Sequence, residues 1–306
     1  MSERLPRVLI AGCGYVGLAL ARHLAQNGFE VFGLRRNPKT KSVLKANGAS
    51  PVFADLTKPE TLRSLPQVDY VVSCQAPRQP RGTVRTSARP ALNQTAPDDG
   101  TSDDYRSTYL NAAEYLVSAL ASRPPRKYIA ASSTSVYGDA SGAWVDETTE
   151  PCPNTENGRI LLEAEKIVLA APFPSLVLRF GGIYGPGRNR LSLLEQGMVS
   201  ARDPGYINHI HVEDAVRLIH FLLERGEPRH IYLGVDHQPV LRSEFYGWLT
   251  EQFGVNAPEP AGSSTVCRTL ASKRCSSQKV RDLGFTFKYP SYRANRAAPN
   301  GTVRDF

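Results

Sequence analysis

The chain has 306 residues, of which 41% are hydrophobic and 22% are charged, and its formal net charge is +8. This composition is that of an ordinary globular protein, and the length suffices for one large domain or two small ones. No stretch approaches the ~20 consecutive apolar residues of a membrane-spanning helix, so we expect no membrane contact.

Cysteine usage and charge bear on two further kinds of site. The five cysteines are odd in number, scattered and never spaced as CxxC, which indicates reduced thiols in a cytoplasmic protein without a metal site. The positive charge would suit a nucleic-acid partner, but the arginines and lysines are not arranged like a groove-reading helix. We therefore expect a solvated basic surface and no nucleic-acid partner. As a separate expectation, the protein is a monomer or a homodimer.

The first predicted strand runs into a glycine-rich turn with the spacing GxGxxG. Gly12 permits the tight turn, Gly14 leaves room for a pyrophosphate, and Gly17 lets the following helix pack close to the sheet. Tyr15 and Val16 lie at the start of that helix, whose free N–H groups and partial positive charge attract phosphate. The turn predicts a dinucleotide site; the alternative is a glycine turn that only packs.

Strands and helices then alternate along the chain. Strands are predicted at residues 7–11, 30–34, 51–54, 68–73, 127–131, 175–179 and 230–235. Helices are predicted at residues 16–27, 39–47, 105–122, 156–170, 212–224, 241–253 and 278–283. This alternation predicts an α/β fold of the Rossmann type, a doubly wound parallel sheet with helices on both faces.

The end of the second predicted strand bears on the choice of cofactor. NAD-binding folds usually place an acidic residue there for the ribose 2′-hydroxyl, whereas this chain has Arg35 and Arg36. A guanidinium pairs with a 2′-phosphate, which predicts NADP, with NAD as the weaker ligand; the alternative is that both arginines face solvent. Asp55, after the third strand, meets the adenine edge or caps the next element.

Two polar segments are open to more than one interpretation. Residues 76–104 are rich in Pro, Arg, Thr, Ser and Asp without apolar periodicity, so we predict a surface loop that is either a lid or without function. Near the C-terminus, Lys273 and Arg274 either contact a substrate phosphate or form an exposed basic turn. Residues 256–265 are predicted to be a linker, and the last dozen residues to be disordered.

Three blocks follow later strands: SSTSVYG (132–138), RFGGIYGPGR (179–188) and NHIHVEDA (208–215). With the N-terminal glycines, they resemble the NAD-dependent epimerase/dehydratase family, the extended branch of the short-chain dehydrogenases/reductases. The resemblance implies an NAD(P)-binding Rossmann domain at residues 1–180, to which 207–240 return. It also implies a smaller substrate lobe at residues 181–206 and 241–306, which closes over a small molecule, often a nucleotide-linked sugar.

The resemblance also implies roles for single residues. Ser132 and Ser133 fall on the strand end that faces the nicotinamide and the reacting carbon, where one hydroxyl typically binds the substrate oxygen. Tyr184 falls on the loop near the nicotinamide. His211 and Asp214 fall on a segment whose family role looks structural.

The chain departs from the family at the acid/base pair. The family uses a tyrosine and, four residues later, a lysine that binds the nicotinamide ribose and lowers the tyrosine pKa; here these positions hold Asn157 and Leu161. Lys166 lies five residues beyond Leu161, about 140° away around the helix, and should face elsewhere. Tyr137 is a candidate replacement phenol without an evident lysine beside it. The glycine loop departs from the family as well, since Ala11 takes the first position of its usual GxxGxxG spacing. Both departures look like the atypical branch of the family.

These observations leave three functional hypotheses, of which a nucleic-acid-binding protein is the least favoured by the arrangement of the basic residues. The first is an NADP-dependent oxidoreductase or sugar-nucleotide-modifying enzyme with a non-standard acid/base, acting on a small-molecule substrate. The second is a catalytically inactive NADP(H)-sensing regulatory or binding protein, which the residues Asn157 and Leu161 favour.

Overall fold

The computed structural model describes residues 4–77, 101–188, 205–254 and 272–294. The strands are β1 (Arg7–Ala11), β2 (Glu30–Arg35), β3 (Ala49–Phe53), β4 (Tyr70–Ser73), β5 (Lys127–Ser133), β6 (Trp144–Val145), β7 (Ser175–Phe180), β8 (Gly182–Tyr184), β9 (Tyr206–Ile207), β10 (His209–His211), β11 (Ile231–Gly234), β12 (Val240–Leu241) and β13 (Arg274–Cys275). The helices are α1 (Tyr15–Gln26), α2 (Lys41–Ala46), α3 (Ser102–Tyr105), α4 (Ala112–Ala121), α5 (Glu156–Leu169), α6 (Val212–Arg225), α7 (Arg242–Phe253) and α8 (Gln278–Asp282).

Within these residues, seven parallel strands form one sheet in the order β11-β7-β5-β4-β1-β2-β3. The chain winds outward from β1 through β2 to β3, then returns to β4 and winds the other way. The order of strands therefore reverses between β1 and β4. A crevice forms at such a reversal, outside the carboxyl ends of the strands, and ligands bind there in open α/β sheets. The predicted doubly wound Rossmann sheet is confirmed.

Burial of both sheet faces follows from the apolar strands. Successive side chains of β1 point to opposite faces, so Val8 and Ile10 join one apolar cluster and Leu9 and Ala11 join the other. Helices α1 and α6 cover the first face, and α4 and α5 cover the second. These buried faces hold the carboxyl ends of the strands, and the loops after them, in fixed positions.

The long predicted helix at 105–122 is three consecutive segments. Helix α3 begins earlier than predicted, because Thr101 and Asp104 form a capping box in which each side chain binds the other's backbone N–H. A π-helical turn follows at Arg106–Asn111, and α4 completes the run. The predicted loop at 76–104 is thus wrong for residues 102–104, and its residues 78–100 lie outside the described residues.

A smaller apolar cluster lies beside the sheet in the C-terminal part of the chain. It contains Tyr184, Ile207, Phe245, Trp248 and Tyr292, all buried. The pair β6–β13 joins the C-terminal segment to the loop after β5, and the pairs β8–β10 and β9–β12 join segments that lie between β7 and α7 in the chain. The residue boundaries of the two domains remain a prediction, and the predicted linker and C-terminal tail lie outside the described residues.

The described residues contain neither a membrane-spanning helix nor a cluster of metal-ligating side chains. No helix there combines the length and apolarity needed to cross a membrane. No group of three or more His, Cys, Asp or Glu side chains there is arranged to hold a metal ion.

Two half-buried histidines meet between α1 and α6. His23 Nε2 lies 3.1 Å from His220 Nδ1, and the His220 ring packs edge-on against Phe29. Burial lowers the pKa of both imidazoles, and for His23 the neighbouring His220 and the Arg217 charge lower it further. The Glu224 carboxylate acts in the opposite direction on His220. The folded protein therefore favours the neutral pair.

This pair is expected to make stability pH-dependent. Below the ordinary histidine pKa of about 6.5, the unfolded chain binds protons that the folded chain does not, so stability falls as the pH drops from 6.5 toward the lowered folded-state pKa. In thermal unfolding at about pH 7.5 and pH 5.5, the double variant His23→Gln/His220→Gln should lose less stability on acidification than the wild type. The exposed His230→Gln serves as the control. An unchanged pH dependence in the double variant would contradict this assignment.

Candidate functional site

The glycine-rich turn after β1 is shaped by close backbone contacts. Gly12 has φ +91°, and a Cβ there would lie 2.5 Å from the backbone N of Gln75. A Cβ on Gly17 would lie 2.4 Å from the Gly12 carbonyl oxygen. Any side chain at either position would displace backbone atoms, so both glycines are needed for the turn itself.

Gly14 is different, because its missing side chain leaves open space. A Cβ there would meet no heavy atom of the described residues within 4 Å, and the residue is exposed at the N-cap of α1. A ligand can therefore approach the backbone at the helix N-terminus, where unpaired N–H groups and the helix dipole favour an anion. The turn fits a dinucleotide pyrophosphate.

The basic and acidic residues at the ends of β2 and β3 lie beside this turn. The Arg35 Nε donates a hydrogen bond of 2.7 Å to the Cys13 carbonyl, which holds its guanidinium against the glycine turn, and Arg36 is exposed. Asp55 accepts hydrogen bonds from the backbone N and hydroxyl of Thr57. Burial raises the pKa of Asp55, but these bonds and the Arg36 charge outweigh it and hold the pKa below its usual range.

Tyr15 links the glycine turn to the loop after β8. The Arg188 guanidinium lies 5.4 Å above its ring, and its hydroxyl is 3.1 Å from where a Cβ on Gly185 would be. Val16 is half-buried against the first apolar cluster. Tyr184 is buried in the C-terminal cluster, and burial followed by the charge of Asp236 raises its pKa. A contact between Tyr184 and a cofactor stays a prediction.

His211 and Asp214 make contacts of a structural kind. The His211 Nδ1 accepts from the backbone N of Glu213 at the start of α6. The buried Asp214 carboxylate accepts from the backbone N–H groups of Lys288 and Tyr289, at 2.9 and 2.7 Å. These bonds tie α6 to the C-terminal segment.

The serines at the end of β5 have different partners. Ser133 accepts a hydrogen bond from the backbone N of Ser135 and remains half-buried at the sheet edge. The Ser132 hydroxyl donates to Glu165 at 2.5 Å. Glu165 also accepts from Arg179, whose Nη2 lies 2.7 Å away and whose Nε lies 3.1 and 3.2 Å from its two oxygens. Both charged side chains are almost fully buried, at 3% and 1% exposure.

The contacts of Tyr137 disfavour it as an acid/base. Its hydroxyl donates to the Asp146 carbonyl at 2.6 Å, and its ring stacks below the Arg179 guanidinium at 4.8 Å. Burial raises the pKa of Tyr137 despite that cation. A buried phenol that binds a backbone carbonyl is poorly placed to exchange protons with a substrate.

The two positions predicted to correspond to the family's tyrosine and lysine lie on α5. Asn157 is half-buried, and Leu161 is buried in an apolar cluster with Val136 and Tyr137. Lys166 is exposed, in keeping with its predicted direction on the helix. Leu161 has no proton to transfer, and the amide of Asn157 is not an acid/base near neutral pH.

Lys273 and Arg274 do not form the exposed turn considered from the sequence. Lys273 is buried, and its ammonium donates to the Gly138 carbonyl at 2.8 Å; burial lowers its pKa. The Arg274 guanidinium stacks between Trp144 and Tyr206, with ring distances of 5.1 and 5.2 Å. These residues fasten the C-terminal segment onto the loop after β5.

Three of the four cysteines in the described residues have thiols that are unsuited to nucleophilic chemistry. Burial raises the pKa of Cys13 and Cys275 to about 12 and raises that of Cys74 as well. Such thiols remain protonated at neutral pH. Cys152 is exposed.

Sequence reasoning missed three residues that the structure brings to this edge of the sheet: Gln75, Glu165 and Arg179. A small cavity between the ends of β4 and β5 and the helices α4 and α5 is lined by Gln75, Tyr109, Ser132, Leu161 and Glu165. The sequence did contain one indication of this cluster. Glu165 is charged, yet it lies four residues after Leu161 on the buried face of α5, and charged residues are rarely buried without a partner.

Comparisons with known proteins agree with this geometry. A model of the NAD dependent epimerase/dehydratase family matches residues 8–234. Protein YeeZ of Escherichia coli strain K12 is 30% identical over 290 residues, covering 94% of this chain and 97% of YeeZ.

Two solved structures superpose over most of this chain. One is a putative NAD-dependent epimerase/dehydratase from Methylobacillus flagellatus, at 30% identity and TM-score 0.70, covering 94% of this chain and 95% of that one. The other is a dTDP-glucose 4,6-dehydratase from Streptomyces venezuelae with NAD bound, at 17% identity and TM-score 0.71, covering 94% and 93%. The second likeness concerns the fold alone.

Proposed function

The chain belongs to the NAD dependent epimerase/dehydratase family, and we propose that it binds NADP(H) and modifies a nucleotide-linked sugar or a related small carbonyl compound. The observation that carries the proposal is the open space at Gly14, at the N-terminus of α1, with the Arg35 guanidinium held against the same turn. Both features suit a nucleotide phosphate, and a bound nicotinamide would supply or accept hydride.

Ser133 is the side chain that we assign to the substrate oxygen. It lies at the carboxyl end of β5 with its hydroxyl already oriented by the Ser135 backbone N–H. Ser132 is held by Glu165 and is assigned to positioning this strand end. The substrate class is the one that membership of the epimerase/dehydratase family implies.

NADPH is expected to bind at least tenfold more tightly than NADH. A charge-assisted contact between a guanidinium and the 2′-phosphate contributes about 1.5–3 kcal/mol, which corresponds to roughly ten- to a hundredfold in affinity. Exposed Arg36 is free to reach that phosphate, whereas Arg35 also supports the glycine turn. Calorimetric titration of Arg36→Ala should therefore show weaker NADPH binding and unchanged NADH binding.

Lys39→Ala is the matched control, because Lys39 is an exposed cation of the same basic surface. It should retain the preference for NADPH. Equal effects of the two variants would show that the preference depends on general positive charge. If the wild type binds neither dinucleotide, the proposed function is wrong.

A second candidate function is NADP(H) sensing without turnover, and the observation that favours it is the buried Leu161 together with Asn157 on α5. Loss of a positioned acid/base usually costs about 10²–10⁴ in rate. Hydride transfer from carbon-bound labelled hydrogen of a panel of nucleotide-sugars to NADP⁺, which oxidises an alcohol carbon to a carbonyl and forms labelled NADPH, separates the two functions. Transfer above the uncatalysed rate indicates the enzyme, and tight binding of NADP⁺ without transfer indicates the sensor.

A further inference from the structure

Gln75 occupies a position between the glycine turn and the cavity at the end of β5. It is the second residue after β4. The residue between them, Cys74, donates its backbone N–H to the Ala11 carbonyl and so extends the pairing of β4 with β1. The Gln75 backbone packs closely on Gly12: a Cβ added to Gly12 would lie 2.5 Å from the backbone N of Gln75 and 2.6 Å from the Gln75 Cα. The backbone of Gln75 is therefore fixed relative to the turn that we assign to the pyrophosphate.

The side chain of Gln75 presents an acceptor without a donor. Its Oε1 is buried, and no group among the described residues makes a hydrogen bond to it. Buried side-chain oxygens in folded proteins nearly always have a partner, so this exception beside the small cavity at the end of β5 calls for one. A ligand that places a hydroxyl or amide donor there would remove this deficit.

The topology indicates which part of the dinucleotide reaches this oxygen. Gln75 lies at the reversal of strand order between β1 and β4, where a dinucleotide crosses the sheet. Arg35 ends β2 and Asp55 follows β3, on the adenosine side of this reversal, whereas Ser132 and Ser133 end β5 on the other side. A cofactor donor that lies beyond the pyrophosphate on this side therefore belongs to the nicotinamide nucleoside. The ribose is the part of that nucleoside that is bonded to the pyrophosphate, so it lies nearest to Gln75.

We propose that the Gln75 Oε1 accepts a hydrogen bond from a hydroxyl of the nicotinamide-side ribose. The apolar Leu161 lines the same cavity and offers no polar contact to a sugar, so the amide of Gln75 carries this role. This inference rests on the proposed function, since it requires a bound dinucleotide. It assigns a specific binding contact to a residue at the centre of the site.

The experiment compares three ligands on Gln75→Met, which keeps the side-chain length and removes the acceptor. NADPH and 2′-phospho-ADP-ribose contain the ribose in question, whereas adenosine 2′,5′-bisphosphate lacks it. Calorimetry should show about three- to tenfold weaker binding of the first two, the effect of one lost hydrogen bond, and unchanged binding of the third. Exposed Gln26→Met is the matched control, and thermal unfolding checks that both variants fold.

Each other pattern overturns the inference. Unchanged binding of all three ligands means that the acceptor is not used. Equal weakening of all three means that Gln75 acts only through the glycine turn. Weakening of NADPH alone assigns the contact to the carboxamide instead. Failure of the wild type to bind any of them overturns the proposed function itself, and if NADH binds more tightly, the series becomes NADH, ADP-ribose and AMP.

Discussion

Replacing Glu165 by leucine is expected to lower the free energy of unfolding by about 3–5 kcal/mol, because it leaves the Arg179 guanidinium buried without its counter-charge. Arg179 is 1% exposed, and Glu165 accepts its hydrogen bonds through both carboxylate oxygens. The Ser132 hydroxyl would lose its acceptor at the same time. Denaturant or thermal unfolding with a folded baseline measures the change.

The double variant Glu165→Leu/Arg179→Met separates the charge from the packing. Replacing a buried ion pair by apolar side chains of similar volume is often neutral or stabilising, so the double variant should recover most of the lost stability. Glu163→Leu, on the exposed face of the same helix, should stay within about 0.5 kcal/mol of the wild type. A cost below about 1 kcal/mol for Glu165→Leu would contradict the assigned role of the pair.

The ion pair between Glu165 and Arg179 supports the strand end at which the family's tyrosine and lysine are expected to act. The pair holds the end of β5 against α5 through Ser132 and β7, so the strand end that carries Ser133 remains supported although Leu161 replaces the lysine. The end of β5 therefore has a buried charged support that does not depend on a tyrosine or a lysine at positions 157 and 161. This arrangement is compatible with a different acid/base and with cofactor binding alone.

The sequence was sufficient to predict the strands, helices and turns that are determined by residues close to them in the chain. The observed β1 coincides with the predicted strand at 7–11, because four consecutive apolar residues precede a glycine turn that ends it. Helix α5, predicted at 156–170, spans Glu156–Leu169, since Thr155 caps its start. The glycine spacing likewise predicted a turn whose close contacts at Gly12 and Gly17 the structure shows.

Residues whose surroundings come from distant parts of the chain could not be predicted in this way. Lys273 was considered as a substrate contact or an exposed residue, yet it is buried against the Gly138 carbonyl, 135 residues away in the chain. Gln75 carries no motif, and its position follows only from the packing of β4 on the glycine turn. Burial of such polar groups depends on tertiary pairing, which a local pattern of apolar residues does not encode.

The largest effect on cofactor binding is expected from alanine at Gly14, with little effect on folding. The methyl group meets no atom of the described residues within 4 Å, so the free energy of unfolding should change by less than about 1 kcal/mol. It occupies the space that we assign to the pyrophosphate. Loss of two charge-assisted hydrogen bonds, at about 1.5–3 kcal/mol each, predicts NADPH binding weakened by roughly a hundredfold or more.

Alanine at Gly17 should give a different result, because its methyl group would lie 2.4 Å from the Gly12 carbonyl oxygen and force the turn apart. Overpacking of this kind costs about 1–3 kcal/mol, so Gly17→Ala should lose both stability and NADPH binding. Gly247→Ala, within α7 and also in open space, is the control for the added methyl and should bind normally. Calorimetry and thermal unfolding on the three variants therefore distinguish a steric block of the ligand from damage to the turn. Wild-type NADPH affinity in Gly14→Ala would show that no pyrophosphate passes this position, and the assignment of the glycine turn to the cofactor would have to be abandoned.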